Sequence, residues 1–110
     1  MTLLMVTQLV RDFDVWKPGF DAEEPARRRF GARRHRLYRD AEDRNDIAIA
    51  IDMPSVDAAR RLLLDAKARE VFSIGGALGE PAVRVRDHIE VVEYVAISPT
   101  FCNHVNPDGC

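Results

Sequence analysis

Apolar residues alternate with small or polar ones over Asp46–Met53, and a period of two is typical of a β-strand with two unlike faces. One face carries the large residues Ile47, Ile49, Ile51 and Met53, and the other carries only Ala48, Ala50 and Asp52. Pro54 ends the strand because it has no N–H to donate, and Ser55 is a suitable helix N-cap. From Val56 to Arg69 the apolar residues follow a period of 3.6, which predicts an amphipathic helix that covers the large-residue face of the strand.

The first third of the chain has the pattern of a strand followed by a helix. Leu3–Val10 is almost continuously apolar, which predicts a strand buried on both sides and central in its sheet. A helix is predicted from about residue 15 to residue 30, with an interruption near Pro25. Gly31 is predicted to end this helix as its C′ residue.

Arg33–Asp40 is predicted to form a hairpin with Asp46–Met53 through the polar turn Ala41–Asn45. If Asp40 opposes Asp46, the polar residues of the first strand lie opposite the small face of the second: Tyr38 opposite Ala48, Arg36 opposite Ala50 and Arg34 opposite Asp52. The same register places Leu37 opposite Ile49 and His35 opposite Ile51 on the other face. A slip of one residue would mix the faces, so the pattern favours this register.

The last strand is predicted at Ile89–Ile97, after a turn at Gly79-Glu80-Pro81 and a short extended piece at Ala82–Arg86. The order β-α-β-β-α-β then predicts an α+β ferredoxin-like fold, with helices on one face of a four-stranded antiparallel sheet. The other face needs cover, and a second copy of the chain in a homodimer would supply it.

Composition narrows the picture. A chain of 110 residues is the size of one domain, which we expect to span residues 1–97 with a C-terminal tail at 98–110. The net charge of −2 gives no general attraction to nucleic acid or membranes. Met1–Val10 has no basic lead and is too short for a signal peptide or a membrane span, so we expect a cytoplasmic protein. The tail contains Cys102, His104, Asp108 and Cys110, whose spacing matches no closed zinc pattern, so no metal site is expected.

Three segments resemble a known family: Val10–Lys17, Leu37–Asp43 and Ser55–Ala66. They are similar to small dimeric α+β barrel proteins, and more specifically to the antibiotic biosynthesis monooxygenase-like superfamily. The resemblance spans about Met5 to Tyr94 and implies a dimeric α+β barrel. Such relatives include cofactor-free monooxygenases that act on polyketide quinones, haem-degrading enzymes, cyclases and isomerases. The chain departs from the pattern at Arg44-Asn45, where many relatives have Pro-Asn, and in its cysteine-containing tail.

In such a barrel the small face of Asp46–Met53 would line the interior. The candidate catalytic residues are therefore Arg34, Arg36, Tyr38 and Asp52, with His88 as a further proton carrier. The candidate substrate-binding residues are Gln8, Trp16, Ala48 and Ala50. Alanines leave room for a ligand, and paired guanidinium groups suit an anionic or enolate-like one. Asp52 is either a base or the ion-pair partner of Arg34.

Two functions fit this set of residues. The first is an enzyme without metal, flavin or other cofactor that acts on an aromatic or carbonyl metabolite, as a monooxygenase, cyclase or isomerase. The second is a non-catalytic dimer that binds a small ligand or has a structural role. A third hypothesis, an anion or nucleic-acid binder through the basic stretch Arg27–Arg36, predicts binding that falls steeply with salt. Only Phe30 and Tyr38 could stack on bases there, so we expect no nucleic-acid partner.

Overall fold

The fold is a four-stranded antiparallel sheet with its helices packed on one face. A computed structural model describes residues 1–73 and 77–96. The strands are β1 (Thr2–Val10), β2 (Arg34–Arg39), β3 (Asp46–Met53) and β4 (Ala77–Asp87), and the helices are α1 (Phe13–Ala22), α2 (Glu24–Arg29) and α3 (Val56–Ala68), with a 3₁₀ turn at Val71–Ser73. The strand order β2-β3-β1-β4 is that of the predicted ferredoxin-like α+β fold.

The helical segment after β1 consists of two helices, which confirms the predicted interruption. Asp12 caps α1 by accepting the backbone N–H of Asp14 over 2.9 Å. The chain breaks at Glu23, and Pro25 then lies in the first turn of α2, where no backbone N–H is required. Gly31 follows α2 with a φ of +99°, a left-handed conformation that suits the predicted helix-ending glycine.

The core lies between the helices and one face of the sheet. The α3 cap is Ser55, whose Oγ accepts the N–H of Ala58 over 3.0 Å. The buried residues of α3 include Ala59 and Leu62, as its periodicity predicts. They belong to one core cluster with the large residues of the central strands: Leu4 and Val6 from β1, and Ile47, Ile49, Ile51 and Met53 from β3.

The β2–β3 hairpin has the predicted register. Arg34 opposes Asp52, Arg36 opposes Ala50 and Tyr38 opposes Ala48, while His35 opposes Ile51 and Leu37 opposes Ile49. The backbone N–H of Asp40 donates to the carbonyl of Asp46 over 2.9 Å and closes the ladder at the turn. We call the sheet face opposite the helices the open face; it carries Leu3, Met5, Thr7, Arg34, Arg36, Tyr38, Ala48, Ala50, Asp52, Ala82, Arg84 and Arg86.

The last strand was predicted at the wrong place. β4 runs over Ala77–Asp87, so Ala82–Arg86 is part of it, whereas residues 89–96 form no strand and Ile97 lies outside the described residues. The register between β1 and β4 shifts between Thr7 and Leu9, so the predicted turn at Gly79-Glu80-Pro81 is a bulge. Pro81 is tolerated because β4 is an edge strand, where a missing N–H need not break a ladder.

The predicted tail, residues 98–110, lies outside the described residues together with the cysteines and His104. Over residues 1–73 and 77–96, no helix is both long and apolar enough to cross a membrane. Within the same ranges, no three His, Cys, Asp or Glu side chains are grouped as ligands for a metal ion.

Candidate functional site

The sheet divides the predicted site residues between its two faces. Gln8 is on the helix-covered face with Trp16 of α1 above it, and both are buried. The other predicted residues of the hairpin are on the open face: Arg34, Arg36, Tyr38, Ala48, Ala50 and Asp52. His88 directly follows β4, is exposed, and donates its backbone N–H to the carbonyl of Met1 over 2.9 Å. The nine residues therefore do not converge on one cavity of the single chain.

A pocket of about 220 Å³ lies between the helices and the sheet. Its walls are mostly apolar and come from every layer of the core: Leu4, Val6, Trp16, Gly19, Phe20, Ala22, Ala26, Ile49, Ile51, Leu62, Leu63, Ala66, Val71 and Phe72. The polar lining side chains are Gln8, Glu23, Arg27 and Arg69. An apolar cavity with a few convergent polar groups is the usual form of a small-molecule site. We call it the helix–sheet pocket.

Aromatic rings form one wall of the helix–sheet pocket. Trp16 and Phe20 are one helical turn apart on α1, and their rings stack with centroids 4.9 Å apart. Phe13 extends the row, with its ring centroid 5.8 Å from that of Trp16. A flat aromatic ligand would find a stacking partner here, since offset ring pairs are favourable beyond their buried area.

Three polar side chains of the pocket are engaged by the protein itself: Gln8, Glu23 and Arg69. Gln8 donates through Nε2 to the carbonyl of Phe72 over 3.2 Å, which ties β1 to the 3₁₀ turn after α3. Arg69 bonds to Glu23 over 2.7 Å and to Asp65 over 2.8 Å, and this ion-pair cluster joins the end of α3 to the α1–α2 break. Gln8 was predicted as a substrate-binding residue, and it does line the pocket.

Arg27, which the sequence named only as part of the basic stretch Arg27–Arg36, also lines the pocket. It is 7% exposed although it lies in the last turn of α2, where a cation is favourable without being buried. Its Nη1 donates to the carbonyl of Phe20 over 2.9 Å, and its guanidinium carbon is 3.9 Å from the centroid of the Phe20 ring. Its Nη2 is buried and has no hydrogen-bond partner among the described residues. A buried donor without an acceptor is costly, so this group calls for an explanation.

A second, basic cleft shares Arg27 with the helix–sheet pocket. It has a volume of about 270 Å³ and lies at the edge strand β2. Four arginines dominate its lining: Arg27, Arg28, Arg33 and Arg34. The other described residues that line it are Glu24, Ala32, His35 and Ile51. The basic stretch seen in the sequence therefore folds into a concave surface beside the pocket.

On the open face, Asp52 is an ion-pair partner rather than a free base. Arg34 hydrogen-bonds to its Oδ2, and Arg36 donates through Nη2 to its Oδ1 over 3.3 Å. Burial acting alone would raise the pKa of Asp52, but the hydrogen bonds and charges of the two arginines outweigh burial and hold that pKa below its usual value. The carboxylate is thus stabilised in its charged form. Of the two roles that the sequence left open for Asp52, base or ion-pair partner, this supports the ion pair.

No protein-family model and no curated protein sequence matches this chain. Solved structures do match its fold. A Bordetella bronchiseptica protein, named by inference as an antibiotic biosynthesis monooxygenase, superposes with a TM-score of 0.69 at 17% identity, over 81% of this chain and 97% of its own. SnoaB, a cofactor-independent oxygenase from Streptomyces nogalater, superposes with a TM-score of 0.67 at 14% identity, over 84% of this chain and 96% of its own.

The protein has the fold of the antibiotic biosynthesis monooxygenase-like proteins. The α+β ferredoxin-like fold implied by the resemblance in the sequence is thereby confirmed for the single chain. A dimeric ferredoxin-like protein from an uncultured marine organism is a more distant match, with a TM-score of 0.52 at 9% identity, over 87% of this chain and all of its own (100%). At such identities the likeness concerns the fold, and the chemistry must be argued from the residues of this chain.

Proposed function

We propose that this antibiotic biosynthesis monooxygenase-like protein is a homodimeric enzyme that acts on an aromatic or carbonyl metabolite without a cofactor. The observation that carries the proposal is the helix–sheet pocket, a largely apolar cavity of about 220 Å³ with an aromatic wall. SnoaB, which has the same fold, is a cofactor-independent oxygenase. Oxygenation of that kind requires a substrate that itself forms a stabilised carbanion, and cyclisation or isomerisation can begin from the same species.

We place the substrate in the helix–sheet pocket rather than over the open face. Trp16 and Phe20 offer a ring surface there, and Gln8 offers an amide close by. On the open face, by contrast, Ala50 is only 4% exposed in the single chain, and Asp52 is buried beneath its two arginines. The predicted catalytic set Arg34, Arg36, Tyr38, Asp52 and His88 is the competing location, in the interior of the proposed barrel.

The proposed dimer rests on what the single chain leaves exposed. Past β4, five apolar side chains between residues 89 and 95 are mostly exposed: Ile89, Val91, Val92, Tyr94 and Val95. Exposed apolar runs of this size are typical of protein interfaces. The same stretch contains Glu90 and Glu93, while Arg84 and Arg86 of the open face form no salt bridge with a described residue. A second copy can supply both the apolar cover and the opposite charge.

One observation favours a second candidate, a ligand-binding protein without catalysis. Gln8 is a neutral amide and therefore no general base, and Glu23 is hydrogen-bonded to Arg69, so neither group is available to take a proton from a substrate. A pocket without a free base can still bind a ligand through shape and stacking.

An oxygen electrode separates the two candidates. Anthrone is a suitable probe because its carbonyl and rings acidify one C–H group. If the protein is a cofactor-free oxygenase, oxygen uptake with anthrone should rise in proportion to protein concentration in metal-chelated buffer. Trp16→Leu should reduce that rate, and Trp16 fluorescence should change as the probe binds. Fluorescence change without oxygen uptake, and without accelerated exchange of the acidic proton, would indicate the binding protein instead.

A further inference from the structure

Arg27 stands at the boundary between the helix–sheet pocket and the basic cleft, because its side chain lines both. One of its terminal nitrogens donates to the carbonyl of Phe20, and the other is buried without a partner in the part of the chain that the structure describes. The stacking of its guanidinium on Phe20 holds the group in place. The side chain is therefore fixed while part of its hydrogen-bonding capacity is unused.

We infer that the ligand of the helix–sheet pocket is an organic anion, whose apolar body lies against Trp16 and whose negatively charged oxygen is bound by Arg27 Nη2. This inference rests on the proposed small-molecule function and adds to it the class of ligand. A charged oxygen acceptor would give Nη2 the partner that it lacks, and hydrogen bonds between two charged groups are stronger than those between neutral ones.

The surroundings of Arg27 favour an anion over a neutral acceptor. Among the described residues, Glu24 is the only acid that lines the basic cleft, and it already approaches Arg28 at 3.7 Å. Arg34 is likewise engaged by Asp52. Glu24, Asp21 and Glu23 attract the charge of Arg27 from a distance. Within the described ranges none of them forms a salt bridge with Arg27, and Arg33 forms none either, so this end of the pocket lacks a direct anionic partner for either guanidinium. A buried cation of this kind is stabilised by an opposite charge supplied by the ligand.

A matched pair of probes tests the inference. The anion para-tert-butylbenzoate and the neutral para-tert-butylbenzamide have nearly the same shape and differ in charge. Titration calorimetry with the full chain should show the acid binding about tenfold more tightly, in line with one added charge-assisted hydrogen bond. Trp16, the only tryptophan, reports by fluorescence whether each probe enters the pocket.

Variants assign the preference to a residue. Arg27→Met keeps an apolar stem and should reduce the acid-to-amide ratio to about one, while Arg60→Met removes an exposed charge from α3 and should leave the ratio unchanged. Arg27→Lys keeps the charge and serves if the methionine variant fails to fold. It should retain part of the preference, because an ammonium group lacks the forked geometry of a guanidinium.

The outcomes separate this inference from the proposed function. If both probes change Trp16 fluorescence but bind equally well, or if Arg27→Met keeps the preference, the anion assignment is wrong and the pocket function stands. If neither probe binds or affects Trp16, both proposals fail. A preference for the acid that vanishes in Arg33→Met but survives in Arg27→Met would move the anion from the pocket into the basic cleft and would also overturn the assignment.

Discussion

The rings of His35 and Phe20 meet edge to face, with centroids 5.1 Å apart and planes at 89°. This contact places the imidazole of an edge strand under α1, close to the guanidinium of Arg27. Burial, and then the positive charge of Arg27, lowers the pKa of His35 below its ordinary value of 6.5. The nearby Lys17 acts in the same direction, and the acids Glu24 and Asp21 oppose it.

The lowered pKa of His35 predicts a pH-dependent stability. Between the native pKa and 6.5 the unfolded chain binds more protons than the folded one, so the free energy of unfolding should fall as the pH drops through 6.5. The loss should be complete below the lowered native value. Urea denaturation at a series of pH values that begins above 6.5 and descends through it measures the loss.

Two histidine variants serve to check the pH prediction. His35→Gln should flatten the dependence of stability on pH in this window. His88→Gln, a change at an exposed histidine beyond β4, should leave the dependence as in the wild type. Equal slopes for wild type and His35→Gln would show that His35 does not contribute.

Leu62 is expected to contribute strongly to stability. It is 5% exposed and belongs to the core cluster, so Leu62→Ala should lower the free energy of unfolding by about 2–4 kcal/mol. Leu64 is 66% exposed on the same helix, and Leu64→Ala should cost less than about 0.5 kcal/mol. Chemical denaturation of both variants tests the assignment. A comparable loss of stability in the two would show that the buried face of α3 is assigned incorrectly.

Replacing a small residue by leucine at each of the two candidate locations, the helix–sheet pocket and the open face, shows where the ligand binds. Ala66 lines the helix–sheet pocket, so Ala66→Leu should weaken binding of para-tert-butylbenzoate about tenfold or more while the circular dichroism spectrum stays native. Ala68→Leu, at the exposed end of α3, is its control. Ala50→Leu fills the open face instead and should not affect binding. If Ala50→Leu abolishes binding and Ala66→Leu does not, the site lies in the interior of the barrel.

Sedimentation equilibrium at micromolar concentration tests the proposed homodimer. Met5 lies on the open face between Ala50 and Arg84, and Met5→Lys should produce a monomer because it would bury an unpaired positive charge beside Arg84 in the proposed interface. Leu64→Lys introduces the same charge on an exposed position of α3 and should remain dimeric. A wild-type monomer, or a Met5→Lys dimer of unchanged affinity, would argue against assembly through this face.

The hairpin was predictable because both of its strands alternate, so each strand checks the register of the other. Only one register places Leu37 opposite Ile49 and also Arg36 opposite Ala50, and the structure has that register. The helix boundaries were predictable for a similar reason, since Ser55 and Gly31 have chemistry that suits few other positions.

The last strand was not predictable from pattern alone. Residues 77–87 contain Gly79 and Pro81, which usually indicate a turn, whereas residues 89–97 are rich in β-branched residues and read as the better strand. Pairing with β1 decided between them, because an edge strand accommodates a proline and a bulge. Strand propensity gives no information about which partner edge is available.

The burial of Arg27 was not predictable from the sequence, for a different reason. This residue stands among five other basic residues in Arg27–Arg36, and all of them appear equally exposed. Its burial results from the break at Glu23, which turns α2 so that Arg27 lies over Phe20. A contact made by the angle between two short helices leaves no periodic signal.

Successive side chains of β3 point to opposite faces of the sheet, and this affects which substitutions the protein can tolerate. Ile49 and Ile51 line the helix–sheet pocket, whereas Ala48, Ala50 and Asp52 point to the proposed dimer interface. A mutational scan along this strand should therefore show two interleaved phenotypes, with ligand response altered at odd positions and assembly altered at even ones. Each property could then drift through evolution without the other, although the residues that control them are only one peptide bond apart.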